Sequence, residues 1–217
     1  MSTDRIIDCI SAVQRAILAN ERDIEALDRE IGDGDHFINV RRGCAVAADM
    51  RDQLQPLSAD EALNQVGLKL LSTIGGASGP LIASFFMAMG KALKGVEALD
   101  SRAFATAFSA GVDAIRSRGK ADLGEKTMLD VLIPVSRLFD RMAAAGEPLE
   151  RICGALKDEA HRGMISTRDM VATKGRAHFL GDRAIGHIDP GSKTCQVAIW
   201  AICDLFLERE RQLQATA

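Results

Sequence analysis

The residues best placed for chemistry lie between Leu27 and Gly43, in the stretch LDREIGDGDHFINVRRG. Asp28, Asp33 and Asp35 stand close together, with Gly32 and Gly34 flanking Asp33 and with His36 and Asn39 just beyond. Glycine loses much backbone entropy in a helix or strand, and aspartate prefers caps and turns. The stretch therefore bends the chain and gathers carboxylates. Converging carboxylates repel unless a cation sits among them, and an all-oxygen set suits Mg²⁺ or Ca²⁺ rather than Zn²⁺. Magnesium completes its shell with water and substrate phosphates, so a Mg–nucleotide or Mg–phosphate site is expected. The same residues also make an ordinary turn in which Asp35 N-caps the next helix. An EF-hand is excluded: the twelfth position counted from Asp33, where that loop needs glutamate, is Cys44.

Three further stretches carry polar chemistry. Gly75-Gly76-Ala77-Ser78-Gly79 offers backbone amides, a hydroxyl and the start of a helix, which suits a phosphate. Its plainer reading is a tight turn between helices with a serine cap. GKADLGEKT, 119–127, nearly spells a Walker A loop, but Glu125 intrudes before Lys126 and no strand precedes it, so a P-loop is rejected. Lys120, Lys126 and Thr127 remain candidates for the same rim. Residues 173–191, TKGRAHFLGDRAIGHIDPG, lack apolar periodicity, and a loop this long inside a domain is usually functional. Lys174 and Arg176 are its candidate phosphate partners. His161 reads as helix surface, and His178 and His187 as loop residues without an assigned role.

The elements that must position these loops are helices. Ile6, Ile10, Val13 and Ile17 mark one face of a first helix, which the acidic loop ends. A second runs from Asp35 or His36 to about Leu54, before Pro56. Ser58-Ala59-Asp60-Glu61 is a capping box for a third. Ser78 and Pro80 open a fourth, Asp100 caps a fifth, and Gly119 stops it. Met128 begins a stripe with Pro134 inside it, where a kink is expected. Pro148 opens a seventh helix to about Met170, and Pro190 and Ser192 an eighth to about Arg211. Its Cys195–Cys203 section is expected to be buried, with Trp200 in the core. No window alternates with period two. The expectation is one all-α domain over 1–217, an up-and-down antiparallel bundle or barrel of about eight helices. In that topology the loops after the first, third, fifth and seventh helices share one rim, and these are the four glycine-rich loops.

Bulk properties narrow the function classes. The formal charge of −3 argues against a nucleic-acid surface. Five scattered cysteines without a CxxC pair fit a reduced, cytoplasmic setting. The start MSTDRIIDC has no secretory pattern, and the longest apolar runs are too short for a bilayer, so no membrane partner is expected.

Together the four segments LDREIGDGDHFINVRRG, TIGGASGPLIASFF, GKADLGEKTMLDVLIP and ATKGRAHFLGDRAIGHIDPGSKT resemble the nucleotide-binding L subunit (DhaL-type) of dihydroxyacetone kinase. They run in order from about Leu27 to Thr194. The resemblance implies an eight-helix barrel with nucleotide, ADP or ATP, at one rim. It implies that Asp28, Asp33 and Asp35 hold two Mg²⁺ ions, and that His36, Phe37, Ile38 and Asn39 contact the nucleotide. Ala77 and Ser78 would cradle phosphate, Gly119 and Met128 line the adenine, and Arg176 with Asp189, Pro190 and Gly191 close the pocket. Phe37 departs from the family's small residue there, and Ile82-Ala83 from an aromatic-then-glycine pair. The implied activity is phosphoryl transfer to dihydroxyacetone or a related triose or tetrulose held by a partner K subunit. In one form of such kinases ADP stays bound and a phosphotransferase-system phosphocarrier recharges it; in the other ATP exchanges with solution. A homodimer is left open. A second reading is a non-catalytic nucleotide-sensing module acting on a regulator, and a third a phosphatase or cyclase on the same metal site.

Overall fold

Capping and close approach decide how the helices meet. Ser58 opens a helix in which its own N–H donates to Glu61 Oε2 at 3.0 Å, the reciprocal arm of the expected capping box. That helix, α5 (Ala59–Thr73), lies along α6 (Ser78–Leu93), and two glycines let the backbones come together. A Cβ on Gly67 would reach the Ala83 carbonyl at 2.9 Å, and one on Gly90 the Asp60 carbonyl at 2.6 Å. The next helices are α7 (Ser101–Gly119), α8 (Leu129–Ala144), α9 (Leu149–Ser166) and α10 (Pro190–Ala215). Helix α8 continues through Pro134, which cannot donate to the Asp130 carbonyl one turn earlier. Gly163 of α9 packs directly on that carbonyl, where any side chain would collide with it.

The N-terminal part supplies α1 (Thr3–Ala19), α2 (Glu21–Ile31), α3 (His36–Asp49) and the single turn α4 (Arg51–Leu54). The computed structural model describes residues 3–76 and 78–215, and among these there is no strand. Packing runs in sequence order from α5 to α10, then from α10 to α1, α1 to α3, and α3 back to α5. Apolar clusters fill the space between neighbours. The largest joins Val112 and Ile115, Leu129 to Val135, Ile152, Leu156 and Ile199. Others join Ile7 and Leu54 to Val66, and Ile17 and Ile24 to Phe37 and Val197.

Several boundaries differ from those read in the sequence. The first expected helix is broken at Asn20 and the second at Met50, each into two pieces. α7 is ended by Lys120, which takes the left-handed conformation (φ 48°, ψ 45°), while Gly119 is still helical. α9 stops at Ser166, and two 3-10 segments, Thr167–Asp169 and Arg176–Ala184, shape the long loop. Trp200 is 36% exposed rather than core. Its indole N–H donates to the Lys157 carbonyl at 3.0 Å, and the Lys157 ammonium lies 5.0 Å from the ring, so its polar edge holds it at the α9–α10 surface.

Candidate functional site

The acidic corner is built by α2 handing over to α3. The Gly32 N–H donates to the Asp28 carbonyl at 2.7 Å, and the chain turns so tightly that a Cβ on Gly32 would overlap the Asp28 carboxylate. Asp28 is 4% exposed, and its Oδ2 accepts from the His36 N–H at 2.9 Å. Asp28 therefore caps α3. Asp35 occupies the N-cap position but makes no side-chain cap bond, so the plainer reading of Asp35 does not hold. Its carboxyl instead meets the Asp33 carboxyl and the Asn39 side-chain amide. Burial, and then the neighbouring Asp33, push the Asp35 carboxyl above the usual carboxylate range, while Asn39 pulls it down. Asp33 is compensated from across the rim: its Oδ2 accepts from Arg176 Nε at 2.7 Å.

The first turn of α3 divides its side chains between rim and core. His36 Nε2 lies 2.8 Å from the Thr194 hydroxyl of α10, and burial lowers its pKa against the pull of Asp28 and Asp35. Phe37 is 2% exposed and packs with Ile17, Ile24 and Val197. Its departure from a small residue thus fills the core, and only its backbone is left to face a ligand. Ile38 is 46% exposed. Asn39 adjoins Gly75, which brings the second glycine-rich loop to the same corner. Ser78 starts α6 and donates its hydroxyl to the Gly75 carbonyl at 3.3 Å. Ala77 lies outside the described residues.

The third and fourth loops are stitched to each other. Asp130, 2% exposed, accepts from the Gly124 N–H at 2.5 Å and the Thr127 N–H at 2.8 Å and so shapes the loop before α8. Glu125 accepts from the Thr173 hydroxyl at 2.8 Å and lies 3.8 Å from Lys174. Gly119 abuts Leu81, and Met128 stands next to Gly191 at the start of α10. Asp189 caps α10 through the Ser192 N–H at 2.6 Å, with Pro190 in the first turn. Burial pushes the Asp189 carboxyl up to about 6, against the Ser192 amide and hydroxyl and the charge of Lys126. Lys126 does not face the rim: it is 1% exposed, and its ammonium donates to the carbonyls of Thr167, Arg168 and His187. The sequence makes Lys126 a candidate for the rim, but nothing in the spacing of GEKT separates a buried lysine from a solvated one, so its burial is not legible there. Asp130, three residues after Thr127, was legible as a capping position and was overlooked.

The rim thus offers oxygen donors, a helix N-terminus and one guanidinium within reach of the acidic corner. Carboxylates in mutual contact are the donor type that a hard divalent cation neutralises, so the donor set fits Mg²⁺ in kind. Among the described residues, however, no three His, Cys, Asp or Glu side chains already form a metal-holding group. Asp28 Oδ2 is turned to cap α3 and Asp33 Oδ2 to Arg176, so one oxygen of each carboxylate is already engaged. Two open depressions, of about 370 and 460 Å³, lie at the opposite end of the helices, around Asn64 and Lys91 and around Leu93 and Val96.

Comparison with known proteins bears on both chemistry and fold. The family model described as the DAK2 domain matches residues 30–204. The chain is 39% identical over 196 residues to the ADP-binding subunit DhaL of PEP-dependent dihydroxyacetone kinase 2 of Listeria innocua, covering 89% of this chain and 88% of the relative. It is 34% identical to the ADP-binding subunit DhaL of PEP-dependent dihydroxyacetone kinase of Escherichia coli, covering 88% and 91%. In structure it is similar to the dihydroxyacetone kinase from C. freundii solved with AMP-PNP and Mg²⁺, with a TM-score of 0.71 over 91% of this chain. At 24% identity that likeness concerns the fold alone, and this chain spans 33% of the length of that kinase chain.

Proposed function

The chain belongs to the DAK2 domain family, and from that membership and the rim we propose that it is the nucleotide-binding subunit of a kinase for dihydroxyacetone or a related short ketose. The carrying observation is convergence: the acidic corner, the start of α6 and the Arg176 segment meet at one end of the helices. The relatives named as ADP-binding subunits support the same reading. We read the fold as a single domain in which eight helical segments close an up-and-down barrel, since each of α1, α3 and α5 to α10 packs on the next around a circuit.

In this reading Asp28, Asp33 and Asp35 hold two Mg²⁺ ions, which supply the positive charge that a polyphosphate needs. Arg176, which pairs with Asp33 in the ligand-free chain, would be the guanidinium placed to meet the phosphates. Ala77 and Ser78 cradle phosphate, with the N-terminus of α6 at Ser78 offering its backbone donors. Ile38 and Asn39, with the backbone of His36 and Phe37, border the nucleotide. Gly119 and Met128 flank the base, and Asp189, Pro190 and Gly191 close the far side. The ketose comes from a partner K subunit. Because both relatives carry a PEP-dependent name, we place this chain with the form that keeps ADP bound and is recharged by a phosphocarrier.

Calorimetric titration with Mg-ADP tests the reading, together with melting curves. A ligand bound only by the folded state adds about 2.7 kcal/mol at a hundredfold excess over Kd, which for this size raises Tm by roughly 5–10 °C. EDTA should remove most of the gain. No binding and no shift at millimolar Mg-ADP overturns the assignment.

A further inference from the structure

Lys126 is a charged side chain where a charge is costly. It is 1% exposed, and its backbone is left-handed at φ 60°, a conformation that residues with a Cβ avoid. An ammonium has three N–H donors. The carbonyls of Thr167 and His187 accept at 2.5 and 2.6 Å and that of Arg168 at 3.3 Å, so all three are engaged. Nothing remains for a phosphate, which separates Lys126 from the lysine of a P-loop.

The acceptors define what it does. Thr167 and Arg168 begin the segment between α9 and α10, and His187 lies near its end. Two more bonds cross the same base: the Asp189 N–H donates to the Thr167 hydroxyl at 3.0 Å, and the Gly186 N–H to the Arg168 carbonyl at 2.8 Å. Lys126 itself sits in a loop that Asp130 fixes through Gly124 and Thr127. Asp189, Asp169 and Asp130 favour its charged form against the burial that lowers its pKa. The segment carries Arg176, the partner of Asp33. Closing a loop costs entropy that grows with its length, so a fixed base leaves only the tip to be ordered by a ligand.

We propose that Lys126 is the positioning residue of this site: it staples the two ends of the 167–187 segment and thereby sets where Arg176 stands relative to Asp33. The proposal rests on the reading of this rim as the nucleotide site, although the staple itself is testable without nucleotide. In the ligand-free chain, Lys126→Met should speed amide exchange over residues 170–185 by at least about tenfold while α5 and α6 exchange as before. The same variant should raise the Kd for Mg-ADP by at least about tenfold, because the tip must then be ordered at binding. A merely global destabilisation speeds exchange in α5 and α6 equally, and that result overturns the proposal, as does unchanged exchange at 170–185. Acylation of the wild-type chain with acetic anhydride decides the matter even if the variant does not fold. Lys126 should resist while Lys120 and Lys174 react, and labelling of Lys126 as fast as Lys120 overturns the staple. If the ligand-free results are as expected but wild-type chain does not bind Mg-ADP, the staple stands and the nucleotide reading fails.

Discussion

Asp33 and Asp35 touch each other while Arg176 neutralises only Asp33, so the corner carries more negative charge than its one guanidinium offsets. Replacing Asp33 by asparagine keeps the shape and removes one charge. The Arg176 and Asp33 side chains are 70% and 37% exposed, so losing their pair should cost the fold less than about 1 kcal/mol. Cation binding should suffer more, with the Kd for Mg-ADP rising at least about tenfold, or ~1.4 kcal/mol, in calorimetry at unchanged helicity. Asp189 titrates in the opposite sense from a paired carboxylate. Its folded pKa, about 6, lies above the ordinary value of 3.8, so between those values the folded chain binds the extra proton. The Asp189 contribution to stability should therefore fall as pH rises from about 4 to about 6, by an amount of order 2 kcal/mol, and Asp189→Asn should remove that part of the slope. Denaturant unfolding across this range checks both curves. The residue types of the acidic corner could be read from the sequence because glycine and aspartate together forbid regular structure. The inward turn of Phe37 and the burial of Lys126 could not, since each depends on which neighbours another helix brings.

At the scale of elements, the contact between α5 and α6 shows how a single hydrogen atom sets a distance. A Cβ on Gly67 would meet Met87 Cγ at 2.6 Å and the Ala83 carbonyl at 2.9 Å. The methionine can move, but the carbonyl belongs to the backbone of α6 and cannot. Gly67→Ala should thus destabilise by about 1–3 kcal/mol, a loss of roughly 2–12 °C in Tm for a chain of this size. A thermal melt decides it, and an unchanged Tm means that α6 shifts freely. Helix existence was legible throughout, because apolar stripes of period 3.6 are strong signals. The breaks at Asn20 and Met50 were not. Neither residue is a breaker, and the helices turn there to follow the packing of α1 on α3 and α10. The long loop gained two 3-10 segments for a related reason: its backbone groups are satisfied by Lys126, Thr167 and Glu125, distant in sequence.

For the whole molecule, the distribution of chemistry between the two ends carries the strongest consequence. The charged corner, the start of α6 and the stapled segment occupy one end, while the two open depressions lie at the other. A small, neutral, well-hydrated ketose offers little binding energy, so a site for it needs several fixed polar contacts or a covalent handle. At the rim such groups are already committed, Asp28 to His36, Glu125 to Thr173 and His36 to Thr194, and behind it Lys126 is held by three carbonyls. Beside its exposed charges the surface also leaves large apolar side chains uncovered. Ile38 is 46%, Phe179 78% and Ile185 42% exposed, the first on the corner and the others on the segment that carries Arg176. Such side chains suit a protein surface that docks and brings the sugar with it. The purified chain should accordingly produce no phosphorylated dihydroxyacetone above the uncatalysed rate from Mg-ATP, although it binds Mg-ADP. Adding a ketose-binding K subunit with a phosphocarrier, or with ATP if nucleotide exchanges, should start turnover. A second variant sharpens the test: Phe179→Asp should leave Mg-ADP affinity within about twofold while reducing turnover of the assembled enzyme by at least about tenfold. Robust turnover by the chain alone would mean that the rim holds the sugar unaided, and the division of labour proposed for this subunit would be wrong.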